Sequence, residues 1–225
     1  MVSRLGSLIQ DNIAIKEQEK DLELKFILSQ VIEHFLYNTL DSIHWSAMKQ
    51  HNDEICQVVS RLSRFYRNTL SNGQDIIPVS QVQEIIESYL YVQKFRMQER
   101  LTYRVEVDPE LANCRVLKYL FQPIVENAVH HGVTCRAQGG HVEIQFTRQG
   151  QRLCFSVTDT GYGIPREKLA EIQARIHSRD ASDSCFALRN VSAQLAHYYG
   201  PECQLHIESE EGAGTRVWFW VPIEF

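Results

Sequence analysis

A long stretch without glycine or proline is the feature that most constrains how this 225-residue chain folds. Residues 22–70 contain neither residue type, and a short polar segment, KQHND at 49–53, divides them into two runs. Runs of this length without helix-breaking residues favour two helices, and the polar segment favours a turn between them. SNGQ at 71–74 has turn chemistry and ends the second run. The N-terminal part is therefore predicted to be a helical hairpin.

A helical hairpin alone leaves much of its apolar surface exposed, so we expect it to have a partner. The simplest partner is a second copy of the chain, which completes a four-helix bundle in a homodimer. Residues 1–21 are largely polar, and we interpret them as an incoming signalling or coiled-coil helix. The predicted divisions are 1–21, a hairpin at 22–75 and a second domain at 76–225.

The second domain alternates helical and extended patterns. A helix is predicted from about Ser80 to Gln98, and another region is helical up to about Tyr199. The apolar residues between Leu117 and Ala128 recur at helical spacing, although Pro123 is expected to kink that helix or delay its start. Strands are predicted for TYRVEV, HVEIQFT, RLCFSVT, CQLHIES and GTRVWFWVPI. The pattern predicts an α+β fold in which helices cover one face of a mixed sheet.

Composition argues against several functional classes. The net charge of −5 argues against a nucleic-acid binder, which usually carries a basic field. No apolar run approaches the roughly 20 residues that span a bilayer, and no signal peptide is visible. The six cysteines are scattered without a C-x-x-C pair, which favours a reducing cytoplasmic location over a disulfide framework or a zinc site.

Three short motifs in the second domain carry candidate chemistry: VENAVHHG (125–132), DTGYGIP (159–165) and EGAGT (211–215). The amide oxygen of Asn127 suits Mg²⁺, which prefers a few oxygen ligands plus phosphates. Asp159 follows a predicted strand and is able to accept a hydrogen bond from an exocyclic amine. Taken singly, the motifs also fit an ordinary helix end, a glycine turn and a hairpin turn.

In this order and spacing, the motifs resemble the Bergerat-type ATP-binding domain of histidine kinases, gyrase, Hsp90 and MutL, over residues 80–225. The resemblance implies an α/β-sandwich domain that binds ATP and Mg²⁺, with Asn127 on the metal and Asp159 on the adenine amino group. Thr215 would lie beside the adenine, and His130, with His131 next to it, occupies a basic position that often approaches phosphate. The other pocket residues that the resemblance implies are Gly161, Gly163, Leu188, Asn190, Gly212 and Gly214.

One departure from this pattern affects the expected lid at about 164–186. Related kinases usually carry a second glycine box, G-x-G-L-x-N, immediately before a helix whose N-terminus meets phosphate. The matching stretch here is CFALRN, in which Cys185 and Ala187 replace the glycines. Side chains at these positions would narrow the approach of phosphate or stiffen the lid.

A histidine in the first predicted helix is the remaining candidate for chemistry. A helical wheel at about 100° per residue puts Phe35, Leu40 and other apolar residues in one broad half and His34 roughly opposite. We therefore expect His34 to be exposed. A neutral imidazole is a competent nucleophile toward a γ-phosphate, and Asn38, one turn further on, is placed to orient the reacting groups.

Several separate segments resemble the LytS/YesM-type sensor histidine kinases, namely HFLYNTL, RLSRFYRNTL, YLYVQKFRMQERL and LFQPIVENAVHHG. The resemblance implies that His34 accepts phosphate from ATP, that the chain forms a homodimer and that a response regulator is its partner. It also implies a link to a membrane sensor region in the full-length protein. Ile32 and Glu33 stand where this family usually has N-P before the histidine.

Two alternatives remain beside a kinase. The first is a non-catalytic or weakly active dimeric regulator with an altered ATP lid, which Cys185 and Ala187 favour. The second is an ATPase or chaperone module of the same superfamily, which the histidine hairpin disfavours because such a module needs no phosphoacceptor.

Overall fold

A computed structural model describes residues 16, 20, 32, 34–70, 75–136, 138–176 and 186–224. The chain divides into two compact units, with the boundary between Ser63 and Arg64, inside the second helix. The signalling helix predicted at 1–21 lies outside the described residues apart from Lys16 and Lys20. The domain divisions given above stay predictions.

The first unit contains helix α1, residues 34–49, and the first part of helix α2, Asp53–Leu70. A short turn joins them, in which His51 adopts a left-handed φ of 52°. The Asn52 side chain caps α2, because its Oδ1 accepts the N–H of Ile55 at 3.1 Å. The predicted hairpin is confirmed for the residues described.

The exposure of α1 side chains follows the helical wheel only in part. His34 is exposed, as predicted, and Leu40 and Ala47 are buried. Phe35 and Ile43 belong to the predicted apolar half, yet they are 70% and 43% exposed in a single chain. Part of the apolar face of α1 is therefore not covered by the chain's own described residues.

The second unit is built on a five-stranded sheet of strands β2 Leu101–Val107, β4 Gly140–Gln149, β5 Arg152–Asp159, β6 His206–Glu210 and β7 Gly214–Pro222. The strands lie in the order β2-β4-β5-β7-β6. Strand β2 runs parallel to β4, and every other neighbouring pair is antiparallel, which confirms the predicted mixed sheet. The segment CQLHIES is extended only in its second half, because β6 begins at His206.

The helices of the second unit are the second part of α2, then α3 Val79–Met97, α4 Gln122–Asn127, α5 Arg166–Ile176 and α6 Phe186–Tyr199. Of these, α3, α5 and α6 contact strands of the sheet directly. Strand β7 alternates buried with less buried residues, as expected when helices cover one face of a sheet. Phe121, which precedes α4, packs against Phe146, Phe155 and Phe219 of the sheet with ring centroids 4.9–5.6 Å apart.

Two local features are absent from the sequence predictions. Strands β1, Ile76–Pro78, and β3, Arg115–Leu117, form a separate antiparallel pair. In addition, α4 continues as a π-helix from Ala128 to Thr134. Of the two effects expected of Pro123, a kink or a late start, the structure shows the late start: Pro123 lies in the first turn of α4, where the missing N–H costs no hydrogen bond.

Candidate active site

Asp159 is the last residue of β5 and is buried, with 6% of its surface exposed. Its Oδ1 accepts the backbone N–H of Gly161 at 2.8 Å, and the backbone N–H of Thr215 donates to the same carboxyl group. Burial raises the pKa of Asp159, while these two hydrogen bonds oppose the shift. The N–H of Thr215 lies close to Asp159 because the two residues are directly opposite each other in the pairing of β5 with β7.

The π-helix brings a second group of residues to Asp159. Asn127 ends α4, and the wider turns that follow place His131 and Gly132 on the same cavity. A Cβ atom on Gly132 would overlap the carboxyl group of Asp159, so only glycine permits this approach. Gly132 was not singled out from the sequence, although it closes the VENAVHHG motif.

These residues line a pocket of about 500 Å³. Another part of the lining comes from the loop after β5 and from two helices. It consists of Ile164 in the loop, Lys168 and Ile172 on α5, and Ala187 near the start of α6. Apolar side chains from the sheet and the helices complete it: Ala128, Val157, Ile207 and Val217. A largely apolar cavity with a few polar groups is the usual form of a small-molecule site.

The pocket gathers about half of the residues expected from the sequence. Those that line it are Asn127, His131, Asp159, Gly163, Leu188 and Thr215. Those outside its described lining are His130, Gly161, Asn190, Gly212 and Gly214. Cys185 lies outside the described residues. The roles assigned to the individual residues stay predictions.

Three of the residues outside the lining support the pocket indirectly. Gly161 donates to Asp159, as described above. Gly214 adopts a φ of +115°, and a Cβ atom there would overlap the Asp159 carbonyl oxygen. Gly212 donates its N–H to the carbonyl of Tyr162 at 2.6 Å, which ties the last hairpin to the DTGYG loop.

The two histidines of the VENAVHHG motif differ in position. Their ring centroids are 4.8 Å apart, but only His131 lines the pocket. Partial burial, with a smaller contribution from the charge of His130, lowers the pKa of His131. Both effects favour the neutral form of the His131 ring.

The other candidate residue lies in the hairpin unit. The amide nitrogen of Asn38 is 3.2 Å from Nδ1 and 3.4 Å from Nε2 of His34. An amide nitrogen only donates hydrogen bonds, so the His34 ring nitrogen that accepts from Asn38 carries no proton. The structure thus brings together the two residues predicted for the hairpin.

Two further findings concern the described residues as a whole. They contain no group of three or more histidine, cysteine or acidic side chains able to hold a metal ion. None of their helices combines the length and the apolar character needed to cross a membrane.

The hairpin and the pocket-bearing sheet define a helical region followed by an ATPase-type α/β domain. Residues 22–101 match a family model described as histidine kinase. Residues 113–224 match the model of the histidine kinase-, DNA gyrase B- and HSP90-like ATPases. The two matches together cover most of the chain, which therefore belongs to the histidine kinases, and its similarity to YesM and LytS agrees with the predicted LytS/YesM type.

Similar proteins support this assignment. Sensor histidine kinase YesM of Bacillus subtilis is 29% identical over 99% of this chain, and LytS of Enterococcus faecalis is 28% identical over 98%. Sensor histidine kinase BtsS of Escherichia coli is 26% identical over 89%. The chain spans 37%, 38% and 33% of the lengths of these relatives.

Solved structures show the same fold. The histidine kinase domain of a blue-light activated kinase from Erythrobacter litoralis has a TM-score of 0.51 and 17% identity, covering 85% of this chain and 94% of that one. The nucleotide-free catalytic domain of histidine kinase ThkA also has a TM-score of 0.51, with 16% identity, covering 65% of this chain and 94% of that one.

Proposed function

We propose that this chain is the catalytic core of a two-component sensor kinase. It transfers a phosphoryl group from ATP to its own His34, and then to an aspartate of a response regulator. The observation that carries the proposal is the pocket in which Asn127 and Asp159 meet, in a chain whose hairpin exposes a histidine. Membership of the histidine kinases supports the same function.

In this proposal Asp159 recognises adenine. A carboxylate offers roughly four lone-pair sites. The N–H groups of Gly161 and Thr215 use two of them, so acceptor capacity remains for the exocyclic amine. The apolar lining from Val157, Ile207 and Val217 suits a flat aromatic base.

Asn127 is the residue that would hold Mg²⁺. Its amide fits an ion that keeps most of its ligands from phosphates and water, and the described residues offer no dedicated acidic cluster. When bound with ATP, Mg²⁺ neutralises charge on the transferring phosphate. Asn127 itself positions that end of the nucleotide.

The proposed transfer uses the lone pair of a ring nitrogen of His34. That nitrogen forms a bond to the γ-phosphorus while the bond to the β–γ bridging oxygen breaks, and ADP leaves with the electron pair. The ring then loses the proton from its other nitrogen. Asn38 orients the imidazole through its contact with the ring. In the second transfer, an aspartate oxygen replaces the ring nitrogen on phosphorus.

A homodimer is part of the proposal. Phe35 and Ile43 are 70% and 43% exposed in the single chain. Apolar exposure at helical spacing favours burial against a second hairpin, which forms a four-helix bundle. Because the relatives are named sensor proteins, we also propose that the chain is the cytoplasmic part of a membrane sensor.

Labelled ATP tests the function. With γ-labelled ATP and Mg²⁺, we expect acid-labile, base-stable label on the protein, and none on His34→Gln. His197→Gln, which changes an exposed histidine of α6, is the matched control and keeps the label. Label that persists on His34→Gln would contradict the assignment of the acceptor.

A dimeric regulator that binds nucleotide without transfer is the second candidate. Ala187 favours it, because this side chain lines the pocket where related kinases carry glycine. Nucleotide binding by the wild-type dimer, with no label at saturating ATP, would support this candidate and reject the kinase.

A further inference from the structure

The pocket has few charges for a site that holds a triphosphate, and the following inference rests on the proposed function. Among the described residues that line it, Lys168 is the only lysine or arginine, and Asp159 contributes a negative charge. A nucleotide triphosphate is a polyanion, so its phosphates need cationic or N–H partners from the protein besides the metal.

The residues expected to meet the phosphates contribute little positive charge. His130 does not line the pocket, and partial burial lowers the pKa of His131, which disfavours a positive charge on that ring. Arg189 lies over the ring of Phe186, 5.6 Å from its centroid, and it is not among the described lining residues. Ala187 replaces a glycine of the box that usually approaches phosphate.

The geometry points to Lys168 as a phosphate-binding residue for this nucleotide. It lies in the first turn of α5, and both it and Ile172, one turn further on, line the pocket. Residues four apart share a helix face, so this stripe of α5 is turned toward the cavity. The ammonium group on a long flexible stem suits phosphate oxygens, which it binds as a point charge.

The charge of Lys168 is not used elsewhere in the described structure. None of the ion pairs among the described residues involves it. The nearest acid along the same helix face, Glu171, instead pairs with Arg175 at 2.6 Å. Glu167 is adjacent in sequence but about 100° away around the helix. Lys168 is thus available for an anion.

A series of ligands tests this inference. Binding of ATP, ADP, AMP and adenosine is measured by calorimetry with Mg²⁺ for the wild type, Lys168→Gln and Lys168→Arg. We expect Lys168→Gln to weaken ATP binding about tenfold, the loss of one charge-assisted contact, and to leave adenosine binding unchanged. Lys168→Arg keeps the charge and retains most of the ATP affinity.

Arg166→Gln is the matched control. Arg166 lies in the same turn, is exposed, carries the same charge and does not line the pocket, so we expect its change to leave all four affinities as they are. If Lys168→Gln weakens the binding of ATP and adenosine equally, or leaves ATP binding unchanged, the role of Lys168 is overturned while the proposed function stands. A wild type that binds none of the four ligands would overturn the proposed function as well.

Discussion

The close approach of Gly132 to Asp159 makes the substitution Gly132→Ala a sharp test of the pocket. Gly132 has no left-handed backbone strain, so the added methyl group acts only through its overlap with the Asp159 side chain. Overpacking typically lowers the free energy of unfolding by about 1–3 kcal/mol, and replacing glycine by alanine in a helix raises it by about 1 kcal/mol. We expect a net loss of about 1 kcal/mol in the free energy of unfolding. ADP affinity should fall at least tenfold, because the carboxyl group must move.

Gly150→Ala separates this effect from a general loss of stability. Gly150 lies in the turn between β4 and β5 with a φ of +64°, and no atom lies within 4 Å of its built Cβ. The cost there is that of the left-handed backbone, about 1 kcal/mol. Urea unfolding should show similar losses for both variants, whereas calorimetry with ADP should show weaker binding only for Gly132→Ala.

A double-mutant cycle identifies the colliding group. Asp159→Gly removes every Asp159 side-chain atom that the new methyl group would meet. In that background Gly132→Ala should cost at least about 1 kcal/mol less than in the wild type. An equal cost in both backgrounds, or wild-type ADP affinity in Gly132→Ala, would refute the reasoning.

Two further predictions concern protonation and backbone strain. Burial raises the pKa of Asp159. The ionised carboxylate is the better acceptor for the adenine amino group, so ADP affinity should fall as the pH drops through that raised pKa. Asp159→Asn should abolish this dependence, and calorimetry across acidic pH values checks it. Gln98 directly follows the last residue of α3 and has φ 54° and ψ −133°, a backbone conformation that is strained for any residue but glycine. Gln98→Gly should raise the urea midpoint, equivalent to about 1 kcal/mol, whereas Glu99→Gly, at an ordinary φ, should lower it.

The sequence by itself determined the local elements. The stretch at 22–70 without glycine or proline predicted a helical hairpin, and the wheel predicted an exposed His34, because the helical period is a property of neighbouring residues. Period-two alternation and turn chemistry located the strands around Asp159. The order of the motifs indicated the ATP-binding fold and the two polar residues, Asn127 and Asp159, that meet in the pocket.

Only the tertiary structure decided which other residues share that pocket. Lys168 and Gly132 are separated in sequence, and each looks ordinary in its own segment. Both line the pocket that contains Asp159, because α5 and the π-helix pack on the same end of the sheet. The pairing of β1 with β3, and the parallel pairing of β2 with β4, likewise join distant segments. Such contacts depend on long-range packing rather than on local periodicity or propensity, so no local sequence pattern predicts them.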